Sequence, residues 1–205
     1  MRILAVSATA AEVPRLVAGR HGAHHLDVLI TGIGMVATAA HTARALAAAH
    51  YDVAFNFGVC GTFDSALPLG TVVHVTADRL AELGAEDGHE FLPLEALGLA
   101  GTTVFVNESV PANQALRDLP SVSGITVNTV HGHEPTIAAV RERLRPQVES
   151  MEGAAFAFAC SLSGVPYAQV RAISNLVERR NRDAWRMDLA VRNLNDAALR
   201  IIEQA

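Results

Sequence analysis

Short, continuous apolar runs recur along the chain, separated by longer stretches in which apolar positions return at helical spacing. The runs at 3–6, 28–31, 53–57, 72–75, 103–106, 125–129 and 168–173 predict strands. Most do not alternate apolar with polar residues, which is the pattern of strands covered on both faces. Helices are predicted over 12–17, 35–49, 136–144, 152–162 and 183–202, and the Ala-rich stretch 36–49 has high intrinsic helix propensity. Strands alternating with helices predict a three-layer α/β/α domain. Segment 80–97, with Glu82, Glu86, Asp87, His89 and Glu90, fits neither period and reads as a surface excursion. No repeat or linker divides the chain, so one domain over residues 1–205 is expected.

Composition narrows the chemistry. With 205 residues, 50% hydrophobic and 18% charged, the chain can bury roughly 70% of its unfolded surface. Its net charge is −5, and all 16 basic residues are Arg. The absence of Lys excludes Schiff-base and P-loop lysine chemistry. No basic stripe marks nucleic acid as a partner. Cys60 and Cys160 sit in apolar contexts and form neither a disulfide framework nor a metal-ligand pattern. The first apolar run is too short for a signal segment, and none reaches the ~20 residues of a bilayer span. The expectation is a cytoplasmic protein with no membrane partner.

Ligands of such sheets bind beyond the carboxyl ends of strands, so the strand-to-loop junctions carry the functional information. Four stand out. Val6-Ser7-Ala8-Thr9-Ala10-Ala11-Glu12 runs from a strand through small residues to an acid, which could compensate a helix dipole or serve chemistry. Thr31-Gly32-Ile33-Gly34 has paired glycines, but Ala37 stands where a dinucleotide fingerprint needs a third. Asn56-Phe57-Gly58-Val59-Cys60-Gly61 permits close backbone approach and has no cation for a phosphate. Met151-Glu152-Gly153 opens an apolar helix with a carboxylate, and Arg171-Ala172-Ile173-Ser174-Asn175 ends a strand in an amide. A carboxylate at such a helix entrance is solvated, paired or functional; Asn175 suits a cap or turn as well as a ligand. His131-Gly132-His133-Glu134 offers metal ligands without a second cluster and reads as a loop or surface feature.

In this order, Glu12, Thr31–Gly34, Asn56–Gly61, Met151-Glu152 and Arg171–Asn175 resemble the motifs of the nucleoside phosphorylase/nucleosidase family. The similarity runs from Met1 to about Ile202 and is weakest across residues 80–120. It implies a central mixed sheet, a purine nucleoside substrate, no metal or organic cofactor, and a homo-oligomer of two or more chains. Carried over by motif, Glu12 is the general base for water and Asn175 the donor toward purine N7. Met151 and Glu152 hold the ribose hydroxyls, and Gly58, Val59, Thr129, Val130 and Ser174 complete the substrate site.

Two departures refine this expectation. Adenine-cleaving relatives carry Asp where Asn175 stands, and an amide NH2 suits the N7 and O6 acceptors of a 6-oxopurine better. Phosphorylases carry Arg and Ser at the third turn, where this chain has Asn56 and Val59, so water rather than phosphate is the expected nucleophile. The branch it most resembles acts on a 6-oxopurine nucleoside with an aromatic carboxylate on its 5′ side, for which Arg179, Arg180 and Arg182 are nearby cations. An adenine-releasing nucleosidase and a non-catalytic nucleoside-binding protein are the alternatives.

Overall fold

The computed structural model describes residues 1–88, 90–107 and 111–205. Its first strand already sorts the layers. β1 (Arg2–Ser7) turns Ile3 and Ala5 to one face and Leu4 and Val6 to the other, and all four are buried. The chain continues through β2 (Gly19–His21), β3 (His24–Ile30), α1 (Met35–Ala48), β4 (Val53–Thr62) and β5 (Val72–Leu80). A hairpin, β6 (Gly84–Asp87) and β7 (Glu90–Pro93), precedes β8 (Val104–Val106), α2 (Gln114–Arg117) and β9 (Ser121–Thr126). Then come α3 (Glu134–Leu144), β10 (Val148–Ser150), α4 (Gly153–Ser163), β11 (Tyr167–Leu176) and α5 (Met187–Glu203).

Nine strands form one mixed sheet in the order β10-β9-β5-β11-β4-β1-β3-β2, with β8 on β5. β3, β1, β4 and β11 run parallel, so their carboxyl ends share one side. β5 is antiparallel to β11. Three-residue β10 pairs both β9 and β4, which curls that end of the sheet closed. On one face Leu116, Ala190, Leu194, Ala198, Ile201 and Ile202 of α2 and α5 meet Ile3, Phe55, Phe57 and Val170. On the other, Leu46 of α1 and Ala154, Phe156, Ala157 and Cys160 of α4 cover Leu4, Val6 and Ala54. Each large side chain removed from water this way stabilises by about 1.5–3 kcal/mol. The expected three-layer α/β/α architecture with a central mixed sheet is what the chain adopts.

Four local expectations change. Residues 12–17 form successive turns rather than a helix: Glu12 N–H bonds Thr9 O, Val13 N–H bonds Ala10 O and Leu16 N–H bonds Val13 O. Pro14 lacks an N–H and disfavours helical backbone at Val13. The helix expected from 183 begins at Met187, after a separate 3-10 turn at Arg182–Ala184. The strand expected to reach 129 ends at Thr126, and Asn128 and Thr129 form a bend. Segment 80–97 contains the β6–β7 hairpin, a two-stranded sheet apart from the main one, and His89 lies outside the described residues. Among the described residues no helix is long and apolar enough to cross a membrane. Cys60 and Cys160 are free, buried thiols; burial pushes Cys60 up to about 12 and Cys160 higher still.

Candidate active site

The carboxyl ends of β1, β4 and β11, with the start of α4, gather most of the chemistry-bearing residues. Glu12, partly buried, is clamped from both sides. Its Oε2 accepts from Thr9 N–H at 3.0 Å, Thr9 Oγ1 at 3.0 Å and Ser7 Oγ at 3.3 Å. Its Oε1 accepts from Val59 N–H at 3.1 Å, which ties the β1 loop to β4. No helix starts at Glu12, so compensation of a helix dipole does not account for this acid.

Arg171, the largest fully buried side chain, lies directly beneath. A Cβ on Gly58 would stand 2.1 Å from Arg171 Nη1 and 3.1 Å from Glu12 Oε1. Glycine at 58 therefore lets the guanidinium and the carboxylate approach each other. An isolated buried cation would cost several kcal/mol, and this one is held by two amide oxygens. Arg171 Nε donates to Gln169 Oε1 at 3.0 Å, and Nη2 donates to Asn56 Oδ1. Asn56 Nδ2 donates in turn to Val6 O at 3.0 Å. Gln169 Nε2 donates to Asp78 Oδ2 at 2.8 Å, and Thr126 Oγ1 to Asp78 Oδ1 at 3.0 Å. Burial raises the Asp78 carboxyl above the usual carboxylate range, against the pull of Gln169, Thr126 and Arg171. Thr126 Oγ1 also accepts from Ala154 N–H at 2.7 Å, so the network ends at the start of α4.

The network changes the reading of Asn56. It is a buried tie to Arg171, not a group facing a ligand. The cation of the third turn comes instead from β11, where Arg171 interrupts the apolar run Val170-Arg171-Ala172-Ile173. A lone Arg inside that apolar run is the sequence signal for a buried cation at this end of the sheet.

Glu152 stands at the N-cap of α4 and is buried. Its Oε1 accepts from Gly34 N–H at 3.0 Å, and its Oε2 has no partner among the described residues. Gly34 has φ 94°, a backbone conformation open to glycine, which aims that N–H at the acid. Neighbouring Met151 is partly buried.

Asn175 hangs on a bulge. Ile173 pairs with Cys60 and Asn175 with Gly61, so Ser174 is the extra residue. Ser174 Oγ lies 2.7 Å from Asn175 Oδ1, and Asn175 Nδ2 donates to Leu176 O at 2.9 Å. Leu176 O, an acceptor only, fixes which amide atom is nitrogen, and one N–H is left to offer a ligand. Asn175 shares a cavity of about 150 Å³ with Gly61, Val130, His131, Glu149 and Trp185. Thr129, expected there, is exposed on its bend and is not among the lining residues.

His131 and Glu149 were missed. His131 lies in a loop, as expected, but not at the surface: its side chain is 13% exposed and its Nδ1 lies 2.7 Å from Glu149 Oε2. The His131 backbone N–H adds a 3.0 Å bond to Glu149 Oε1. Trp185, the chain's single Trp, lines the same cavity beneath the Arg180 guanidinium.

The sequence and the fold have known counterparts. The sequence matches the phosphorylase superfamily over residues 8–203. The chain belongs to that superfamily. A futalosine hydrolase of Acidothermus cellulolyticus is 36% identical over 214 residues, covering 95% of this chain and 87% of that one. A futalosine hydrolase of Streptomyces coelicolor is 36% identical over 183 residues, covering 83% and 76%. The native structure of a futalosine hydrolase of Helicobacter pylori superposes with a TM-score of 0.82 at 14% identity, over 100% of this chain and 98% of that one. At that identity the likeness is one of fold.

Proposed function

We propose that this protein hydrolyses the N-glycosidic bond of futalosine, releasing hypoxanthine and dehypoxanthinyl futalosine, as a step toward menaquinone. N-glycoside cleavage builds positive charge on the sugar and negative charge on the departing base. Glu12 takes a proton from the attacking water as its oxygen bonds C1′, and Arg171 beneath it steadies the carboxylate. The free oxygen of Glu152 accepts from the ribose hydroxyls, with Met151 beside it. Gly58, Val59 and Val130 line the approach. Asn175 donates to the base, and Ser174 holds its amide.

The observation that carries the reading is the Asn175 Nδ2–Leu176 O contact at 2.9 Å, because a partner that only accepts assigns the amide NH2 and leaves its second N–H to offer the base. A 6-oxopurine offers acceptors to that donor, whereas the amine of adenine offers another donor. Glu149, the buried carboxylate of the cavity, has both its oxygens engaged by His131. The protein works without metal or organic cofactor, in the cytoplasm, as a homo-oligomer. Residues 1–205 act as a single domain.

The test incubates purified protein with futalosine, aminofutalosine, methylthioadenosine and inosine and identifies the released base chromatographically. Hypoxanthine from futalosine is expected at the highest kcat/KM. Release of adenine alone would overturn the reading.

A further inference from the structure

When C1′–N9 breaks, the electron pair stays on the purine, and the departing 6-oxopurine needs a proton to leave neutral. An amide stabilises that anion through a hydrogen bond but has no proton to give up. Asn175 therefore leaves the proton unassigned, on the reading of the site given above.

We propose that His131, held by Glu149, is the general acid that protonates the departing base. The residues share the cavity with Asn175. At Gly61, a Cβ would meet Asn175 Nδ2 at 3.2 Å and Glu149 Cγ at 3.7 Å, which puts the amide and the Glu149 side chain against the same residue. Glu149 is buried on β10 and opposite Gly61 in register. It grips both the backbone N–H of His131, at 3.0 Å, and the ring Nδ1, at 2.7 Å. Nδ1 carries its hydrogen toward the carboxylate, and Nε2 is the ring atom that exchanges a proton with the base. Phe63 meets the imidazole edge-on, with centroids 6.2 Å apart, and fixes the ring plane.

Charges around the ring are mostly negative. In the base cavity they are Glu149, Glu178 and Arg180. Across the ring, in the cleft toward α3 and the β6–β7 hairpin, they are Glu82, Glu86, Glu90, Glu142 and Arg143. Carboxylates outnumber guanidiniums around the ring.

The step balances. The Nε2 proton of His131 passes to a purine ring nitrogen as C1′–N9 breaks, and neutral hypoxanthine departs. Water oxygen bonds C1′, and its proton goes to Glu12. Afterwards Glu12 releases that proton to solvent and His131 regains one.

The test compares wild type with His131→Gln across pH, on futalosine and on 4-nitrophenyl β-D-ribofuranoside, whose leaving group departs without a proton. Melting curves establish that both proteins are folded. On futalosine, kcat should fall by roughly 100-fold or more, and the alkaline limb of the wild-type kcat profile should vanish. Turnover of the nitrophenyl riboside should change by less than about threefold, since that reaction needs no general acid. A retained alkaline limb, an unchanged kcat on futalosine, or an equal loss on both substrates would overturn the assignment. If wild type releases a base other than hypoxanthine, the functional reading falls instead, and the same comparison on the nucleoside it does cleave judges His131.

Discussion

Gly153→Ala tests whether the buried polar network positions the acid of α4. A methyl at 153 would lie 2.2 Å from both Asp78 Oδ2 and Gln169 Oε1. Neither neighbour can simply step aside. Asp78 is tied to Thr126 at 3.0 Å and to Gln169 at 2.8 Å, and Gln169 is tied to Arg171 at 3.0 Å. Reaching ordinary contact requires the start of α4 to retreat by about 1 Å, or the network to open. Overpacking of this kind costs about 1–3 kcal/mol, and a buried acceptor left without its partner about 1–3 kcal/mol more. Together they lower Tm by roughly 5–15 °C for a chain of this size. Glu152, the preceding residue, moves with the helix and loses its 3.0 Å bond from Gly34. A displacement of about 1 Å in a substrate-holding group lowers kcat/KM by roughly 100-fold. Calorimetric melting and the rate of hypoxanthine release read the two effects separately. A variant melting within about 1 °C of wild type, with kcat/KM within about twofold, would refute the argument, since an unresolved clash costs more than that.

Two further substitutions probe different parts of the molecule. Asn175→Asp should move the kcat/KM ratio of aminofutalosine to futalosine upward by at least about tenfold, the scale of one mismatched hydrogen bond of ~1–3 kcal/mol; an unchanged ratio in competition assays would remove the amide from the specificity argument. His74 is buried with no partner for Nε2 among the described residues, and burial pulls its value from 6.5 down to about 4. The unfolded chain therefore takes up a proton first as pH falls, so stability is full above about 6.5 and drains until about 4. The loss amounts to about 3 kcal/mol. His74→Leu should flatten that window in urea unfolding between pH 7 and pH 4, and a slope equal to wild type would sink the assignment.

The central strands were legible because their apolar runs need no partner to be recognised. Ile3–Val6 and Val53–Phe57 are hydrophobic on both faces, and both faces are covered. β10 was invisible: Val148-Glu149-Ser150 reads as polar, and only pairing with β4 and β9 makes it a buried strand. Glu12 was legible as an acid at a strand end, but the turns around it hinge on Pro14 rather than on periodicity. The same contrast divides the site. Glu152 and Asn175 sit in short contiguous motifs, whereas His131 and Glu149 are 18 residues apart and each alone resembles surface. Their contact is tertiary, and no local pattern encodes it.

The bulge at Ser174 has an evolutionary consequence. Asn175 stands beyond the inserted residue, near the carboxyl end of β11, while the stretch Tyr167–Ser174 stays wholly buried. Exchanging amide and acid there leaves the core untouched, and Asn and Asp codons differ by a single nucleotide. On the proposed role of Asn175, base preference can therefore drift on its own, as a detachable trait, without the chain having to relearn how to fold.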